Sequence, residues 1–171
     1  LKDYAAEDAD LTYQLYEVFE GDLSKLDLKH LFHDIEMPLV AVLNAMEREG
    51  ISINTEALKD FSLKLNKSLT TLKEAIFSLA DVEFNVDSPK QLGDVLFGEM
   101  ELNPKAKKTK TGQFKTDEAT LQKLSGSHPI IDNILQYRTE KKLLSTYVDA
   151  LPKLINSTSG KIHTNYMQAV T

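Results

Sequence analysis

Apolar residues recur at three- and four-residue steps along most of this chain, the spacing that lines one face of a helix. The pattern predicts a first helix over residues 2–19. A second is expected from about Lys29 to Glu49, kinked at Pro38, which lacks an N–H and crowds the preceding turn, and stopped by Gly50. The tripeptide "ISI" at 51–53 alternates like a short strand. Asn54 then suits the cap of a long helix through Ala80, whose Leu58, Phe61, Leu65, Leu69, Leu72, Ile76 and Leu79 share a face. In "FNVDSPKQLGDVLF" (84–97), Asn85 and Asp87 suit a turn, Ser88 an N-cap and Pro89 the first position of a short helix to about Phe97.

Residues 101–115 have no hydrophobic rhythm and read as a loop, after which Thr116 is expected to cap another short helix. A last long helix is expected from His128 to Tyr147, and the closing "IHTNYMQAVT" alternates like a strand. No internal repeat is visible. The expected fold class is therefore mainly α, with a minor β component near 51–53 and 161–169. Residue 1 is a Leu inside a running helical pattern and the closing strand stops in mid-course, so the segment reads as an excised piece of something larger.

Composition narrows the class. With 171 residues, 42% hydrophobic and 27% charged, the chain suits one soluble core with an appendage. The absence of cysteine removes disulfides and thiolate metal sites and fits a reducing compartment. No apolar run approaches the roughly 20 residues that span a bilayer, and no basic-then-apolar leader opens the chain; a cytoplasmic protein without membrane contact is expected. The net charge of −6 is unevenly spread. Residues 1–50 hold 12 acids against Lys2, Lys25, Lys29 and Arg48, whereas the remainder holds 14 acids against 16 bases.

After Gly50, three places suit an anion. The Ser88 helix mouth adds Lys90 to backbone N–H groups that point outward, although most capped helices bind nothing. The loop "NPKAKKTKTGQFKT" carries Lys105, Lys107, Lys108, Lys110 and Lys115 with no acid among them, so its local field is positive whatever the whole chain sums to. On the last helix, Arg138, Lys142 and Ser145 fall on a stripe about 60° wide at 100° per residue. That stripe lies beside the apolar one formed by Ile130, Ile134, Tyr137, Leu144 and Val148. Each place alone also reads as a solvated surface; together they favour a polyanion. In the first helix, Tyr4 and Asp8 are four apart and share a face. A phenol that orients water beside a carboxylate that ligates Mg²⁺ suits phosphodiester cleavage, while the competing reading is an acidic solvent face with Asp3, Glu7 and Asp10. One carboxylate does not hold two metals.

Six segments carry a resemblance: "DYAAEDADLT", "MPLVAVLNAMEREGISIN", "FNVDSPKQLGDVLF", "KTKTGQFKT", "ILQYRTEKKLLSTYVDALPKLI" and "GKIHTNYMQAVT". In this order and at these intervals they cover essentially the whole chain and resemble the middle of the family A DNA polymerases of the bacterial DNA polymerase I type. The resemblance implies that residues 1–33 are the C-terminal helix region of a 3′–5′ exonuclease domain. Residues 34–150 would then be the polymerase thumb, an elongated helical arm, and 151–171 the start of the palm.

Tyr4 and Asp8 match the last exonuclease motif, which makes Asp8 a metal ligand and Tyr4 the group that orients water, in a site incomplete on this chain. "NVDSPKQL", with Asn85, Ser88, Lys90 and Gln91, matches a thumb turn on the DNA backbone. "KTKTGQFKT", with Thr111 and Thr116 beside its lysines, matches the thumb tip. Arg138, Lys142, Ser145, Thr146 and Tyr147 stand where the family motif has the same residue types, while Leu144 departs from a lysine found in some relatives.

The implied function is sequence-independent grip on primer–template duplex through its phosphates, supporting processive synthesis in replication and repair. Mg²⁺ and deoxynucleotides are expected only in the parent DNA-directed DNA polymerase. The segment by itself is expected to be a catalytically inactive monomer without cofactor, since the palm aspartates and the other exonuclease carboxylates lie outside it. The competing class is a helical scaffold or protein-interaction module with an incidental basic loop. An autonomous nuclease fails for want of ligands.

Overall fold

The computed structural model describes residues 2–168. Ala169, the last residue of the strand expected over 161–169, and the rest of the expected palm segment to 171 lie outside the described residues. Among the described residues the chain is helical, and no helix is long and apolar enough to cross a membrane. Backbone contacts divide it into two compact units, one built from Leu1–Ser52 with Asn156–Thr171, the other Ile53–Ile155.

The first unit begins with α1 (Lys2–Lys25), which runs past the expected end at Phe19. Gly21 does not break it, and the Ser24 hydroxyl donates back to the Glu20 carbonyl at 2.9 Å. The expected second helix is divided. A wide π-type turn (Leu31–Glu36) precedes α2 (Met37–Glu49), and the Met37 N–H reaches five residues back to the Phe32 carbonyl. Pro38 explains the widening: it has no N–H for the carbonyl four residues back, and its ring crowds that turn.

Gly50 ends α2 at φ 69°, in the left-handed region. A Cβ there would also lie 2.8 Å from the His163 ring, so both backbone angle and space demand glycine. The expected strands meet beside it, but only as one antiparallel bridge between Ile51 and Ile162. His163 Nδ1 donates to the Glu47 carbonyl at 2.8 Å, the Tyr166 N–H donates to the Glu47 carboxylate at 2.7 Å, and Lys161 pairs with Glu49. These side-chain ties join the same two segments as the single bridge.

The second unit contains nearly all the buried apolar residues. Its first helix, α3 (Thr55–Ala80), is capped by Asn54, whose side chain accepts the Ala57 N–H at 3.0 Å. Leu65, Leu69, Leu72 and Ile76 are buried along it, whereas Phe61 and Leu79, at the ends of the same stripe, stay partly exposed. Facing it is α6 (Pro129–Leu143), capped by His128 Nδ1, which accepts the Ile130 N–H at 3.2 Å. Ile130, Ile131, Ile134 and Tyr137 are buried on α6, and a π-type turn (Leu144–Val148) continues the stripe with Leu144 and Val148. The expected helix to Tyr147 is therefore α-helical only as far as Leu143.

Two short helices close the core. α4 (Pro89–Gly93) leads into a wide turn (Asp94–Glu99) that buries Val95, Leu96 and Phe97, while α5 (Glu118–Gln122) buries Leu121. The cap of α5 is Asp117, not Thr116: the Asp117 carboxylate accepts the Thr120 N–H at 2.9 Å and the Thr120 hydroxyl at 3.0 Å. Asp117 prevails because its carboxylate accepts both donors at once, while Thr116 is turned into the core at 5% exposure. Those bonds hold the Asp117 carboxyl below its ordinary value.

The segment 101–115 is not the free loop expected. It is a small hairpin with a bridge between Lys108 and Phe114, closed by the Lys115 N–H to the Lys107 carbonyl at 2.9 Å and the Thr109 N–H to the Gln113 carbonyl at 2.7 Å. Phe114 packs against Phe97 with ring centroids 5.6 Å apart. Gly93 permits that approach, since a Cβ there would meet the Phe114 Cβ at 2.9 Å. One aromatic in a lysine-rich stretch gives the hairpin an apolar anchor on the core.

Two outcomes test this core. Ile134 is fully buried between α3 and its own helix, so Ile134→Ala should cost about 2–5 kcal/mol in chemical denaturation through reduced burial and a residual cavity. Tyr137 is buried with its hydroxyl donating to Asp87 at 3.3 Å; burial first, and then the Asp87 charge, push its pKa up from 10.0. A raised pKa means that the neutral phenol stabilises the fold below its ordinary titration range and that this contribution is lost as pH rises through the folded value. Of the six tyrosines, the last to ionise in an ultraviolet titration should vanish in Tyr137→Phe, which should cost about 0.5–1.5 kcal/mol near neutrality.

Candidate nucleic-acid interface

The turn before α4 uses its polar side chains on itself. The Asn85 side-chain oxygen accepts the Asp87 N–H at 3.0 Å, Gln91 Oε1 accepts the Asn85 N–H at 2.7 Å, and Ser88 Oγ accepts the Gln91 N–H at 3.4 Å. Pro89 has no N–H, and the Leu92 N–H goes to the Ser88 carbonyl. The helix mouth thus spends most of its own amides on its cap, contrary to the expectation that they would point outward. What remains is a different set of donors. Each of the three side chains is engaged through its acceptor, so the Asn85 and Gln91 amide NH₂ groups and the Ser88 hydroxyl hydrogen keep their donating capacity, beside the exposed ammonium of Lys90.

The hairpin carries Lys105, Lys107, Lys108, Lys110 and Lys115, all exposed. Its tip is ordered by the Thr109 and Thr111 hydroxyls, 2.9 Å apart, and by the Gly112 N–H donating to the Thr109 carbonyl at 3.0 Å. The Lys108 ammonium lies 4.5 Å from the centre of the Phe114 ring, which holds one cation over the anchoring aromatic. Thr116 ends the hairpin behind the surface.

On α6 the expected stripe is real but its members differ. Lys142 is exposed, as are Ser145 and Thr146 on the turn that follows. Arg138 is half-buried, and its guanidinium donates to the Thr116 carbonyl. Burial pulls its pKa below the ordinary arginine value, while Asp117, Asp87 and Glu118 push it back up. Leu144, where some relatives are expected to carry lysine, is buried in the core.

α6 brings the three groups together. It reaches the turn through the Tyr137 hydroxyl and through Lys141, whose ammonium is 3.9 Å from Asp87, and it reaches the hairpin through Arg138. A groove of about 410 Å³ runs along it between Glu118, Leu135, Arg138, Thr139, Lys142, Leu143 and Tyr147. Sequence reasoning misses the tethers. Tyr137 reads as one more apolar position and Asp87 as a turn former, and Lys141 lies off the stripe; the spacing of charges on α6 carries no signal of a partner 50 or more residues away.

Tyr4 and Asp8 lie elsewhere, on α1 in the other unit. Both are exposed, Tyr4 at 68%, and they sit one turn apart as expected, with the Thr12 hydroxyl donating to the Asp8 carbonyl at 2.7 Å. Among the described residues no group of three or more His, Asp or Glu side chains is placed to hold a metal. Asp8 alone does not make a divalent-cation site, and these residues by themselves do not fit Mg²⁺.

Comparison with known proteins places this geometry in context. The model for DNA polymerase family A matches residues 55–171. The DNA polymerase I of Synechocystis sp. is 46% identical over 170 residues, 98% of this chain and 17% of that protein. The DNA polymerase I of Treponema pallidum is 41% identical over 168 residues, again 98% of this chain and 16% of its own length. Among solved structures, the polymerase domain of Pol1 from M. smegmatis, in complex with DNA primer–template and dNTP, matches with a TM-score of 0.77 and 33% identity, over 93% of this chain and 28% of that one. The chain thus spans about a sixth of these curated relatives. A family match over most of its length, together with close relatives along nearly all of it, means that the chain belongs to DNA polymerase family A.

Proposed function

We propose that this chain is the part of a DNA-directed DNA polymerase that grips primer–template duplex through the phosphate backbone, without reading sequence. In this reading residues 34–150 form the thumb, with all but the last five residues of the compact unit Ile53–Ile155 as its body, residues 1–33 close a 3′–5′ exonuclease domain, and 151–171 open the palm. The whole protein is a cytoplasmic monomer that acts in replication and repair, taking deoxynucleotides as substrates and Mg²⁺ as its metal. The observation that carries the reading is the convergence on α6 of five exposed lysines on an anchored hairpin and a turn whose side chains keep their donors.

The chemistry suits phosphates of any sequence. Ammonium groups and N–H or O–H donors recognise an anionic oxygen, and contacts to phosphate carry no information about bases. Asn85, Ser88, Lys90 and Gln91 supply the turn's contribution, and Lys142, Ser145 and Thr146 that of the α6 end. On the hairpin the lysines and Thr111 do the work, whereas the buried Thr116 contributes only as part of the scaffold.

Replacing all five hairpin lysines with alanine in the intact protein tests the grip. Affinity for primer–template should fall and its dependence on salt should flatten, by up to roughly 0.9 in log–log slope for each phosphate that is no longer neutralised. Tracts copied per binding event should shorten, while single-nucleotide incorporation by bound enzyme stays close to that of the parent. Stability should change little beyond removal of the Lys108–Phe114 interaction, worth about 0.5–1 kcal/mol. An unchanged salt slope would return the hairpin to a solvated surface, and the scaffold reading would then stand.

The exonuclease assignment has its own test. Asp8→Ala in the intact protein should abolish 3′–5′ degradation and leave polymerisation nearly unchanged, because a ligand removed from one metal site need not disturb a distant one. Equal loss of both activities would make Asp8 structural.

A further inference from the structure

We propose that Arg138 is a positioning residue, holding the lysine hairpin against α6 so that its cations act as one surface, and not itself a phosphate contact. The inference rests on the grip reading above and adds to it an assignment that spacing on α6 does not suggest.

The guanidinium donates to the Thr116 carbonyl, 22 residues away and at the foot of the hairpin. Thr116 is itself buried, between Lys115, whose N–H closes the hairpin, and Asp117, which caps α5. One bond therefore fixes the junction from which hairpin and α5 both leave. A planar guanidinium suits this task, since it satisfies a half-buried carbonyl while remaining charged. The surroundings fit the same role. Asp87, Asp117 and Glu118 all act on this charge, so an approaching phosphate would meet carboxylates around it. Lys142, one turn further along and exposed, has the better position for an anion. A second anchor, Phe114, presses the hairpin into the same place, with its ring on Phe97 and its Cβ close to Gly93.

A double-mutant cycle in the intact protein, read with and without DNA, decides the matter. Arg138→Ala should weaken primer–template binding on the order of tenfold. In the background lacking the five hairpin lysines the same change should have an effect within about twofold, because coupled residues are non-additive. Without DNA, Arg138→Ala should accelerate amide exchange at Thr109 and Lys115 while leaving the core amides of α3 and α6 slow. Gly93→Ala supplies a second variant that lifts the hairpin without removing a charge, and it should reproduce both effects.

Three results would overturn the proposal. One is a cost of Arg138→Ala that persists in the lysine-free background with a salt slope lower by about 0.9, as expected of a direct phosphate contact. Another is hairpin exchange that does not respond to Arg138→Ala. The third is a Gly93→Ala protein whose hairpin opens with no loss of affinity. If the five-lysine change leaves binding untouched, the grip reading falls and the DNA consequence of Arg138 falls with it. The exchange measurement, which needs no DNA, would still decide whether Arg138 holds the hairpin.

Discussion

The seam between α3 and α6 is the constraint on which the second unit depends. Leu65, Leu69, Leu72 and Ile76 on one helix meet Ile130, Ile131, Ile134 and Tyr137 on the other, and these residues form the centre of its core. Branched side chains at that spacing fix how α6 is rotated about its axis, because turning it by one residue would expose an isoleucine. Once the rotation is fixed, so is the destination of every polar residue on the opposite side. Tyr137 sits at the border, with its ring in the core and its hydroxyl on Asp87. Arg138, the next residue, is carried about 100° further round, where it meets Thr116. The polar arrangement is therefore a consequence of apolar packing, with hydrogen bonds adding position more than stability.

That ordering accounts for how a small turn is left with donors. Asn, Ser and Gln side chains each have both kinds of hydrogen-bonding atom, and a turn needs acceptors to satisfy its N–H groups. Asn85, Ser88 and Gln91 spend their acceptors in this way. The same economy that builds the turn thus selects the sign of its outward polarity. A helix-mouth explanation would have relied on backbone amides that the cap already uses.

The helices of the second unit are legible in the sequence because their signals are local. The Asn54 and Ser88 caps, the α3 stripe and the α6 stripe all follow from residues within a few positions of one another. The shift of the α5 cap by one residue, to Asp117, is decided by a competition between neighbours that composition does not settle. What is not legible is non-local. The hairpin reads as a loop because one Phe among five lysines gives no periodicity, and its docking depends on Phe97 and on the space left by Gly93, which lies far along the chain. The candidate site is half visible for the same reason: exposed lysines announce themselves, while Arg138 shows its task only when the carbonyl it holds is in place. The first unit is legible in outline, but Pro38 widens a turn rather than simply kinking a helix, and the paired strands shrink to one bridge.

The remaining question is how a chain of net charge −6 suits a polyanion. At physiological ionic strength charges are screened beyond about 8 Å, so an anion at the hairpin responds to its immediate neighbours and hardly to the sum. Between Leu102 and Thr116 those neighbours include five lysines and no acid. Two acids of the neighbouring turn and cap are engaged in bonds of their own. Asp117 is held by Thr120, and Asp87 is shared by Tyr137 and Lys141. Those carboxylates keep their charge but belong to the turn and to the α5 cap, so in the proposed reading the field at the hairpin takes its sign from the five ammonium groups. Net charge then governs solubility and long-range encounter, whereas contact depends on where each charge has been put. In the proposed reading, confining the basic field to the hairpin suits brief, sliding contact: phosphates would bind there without a uniformly basic surface that would hold the duplex still.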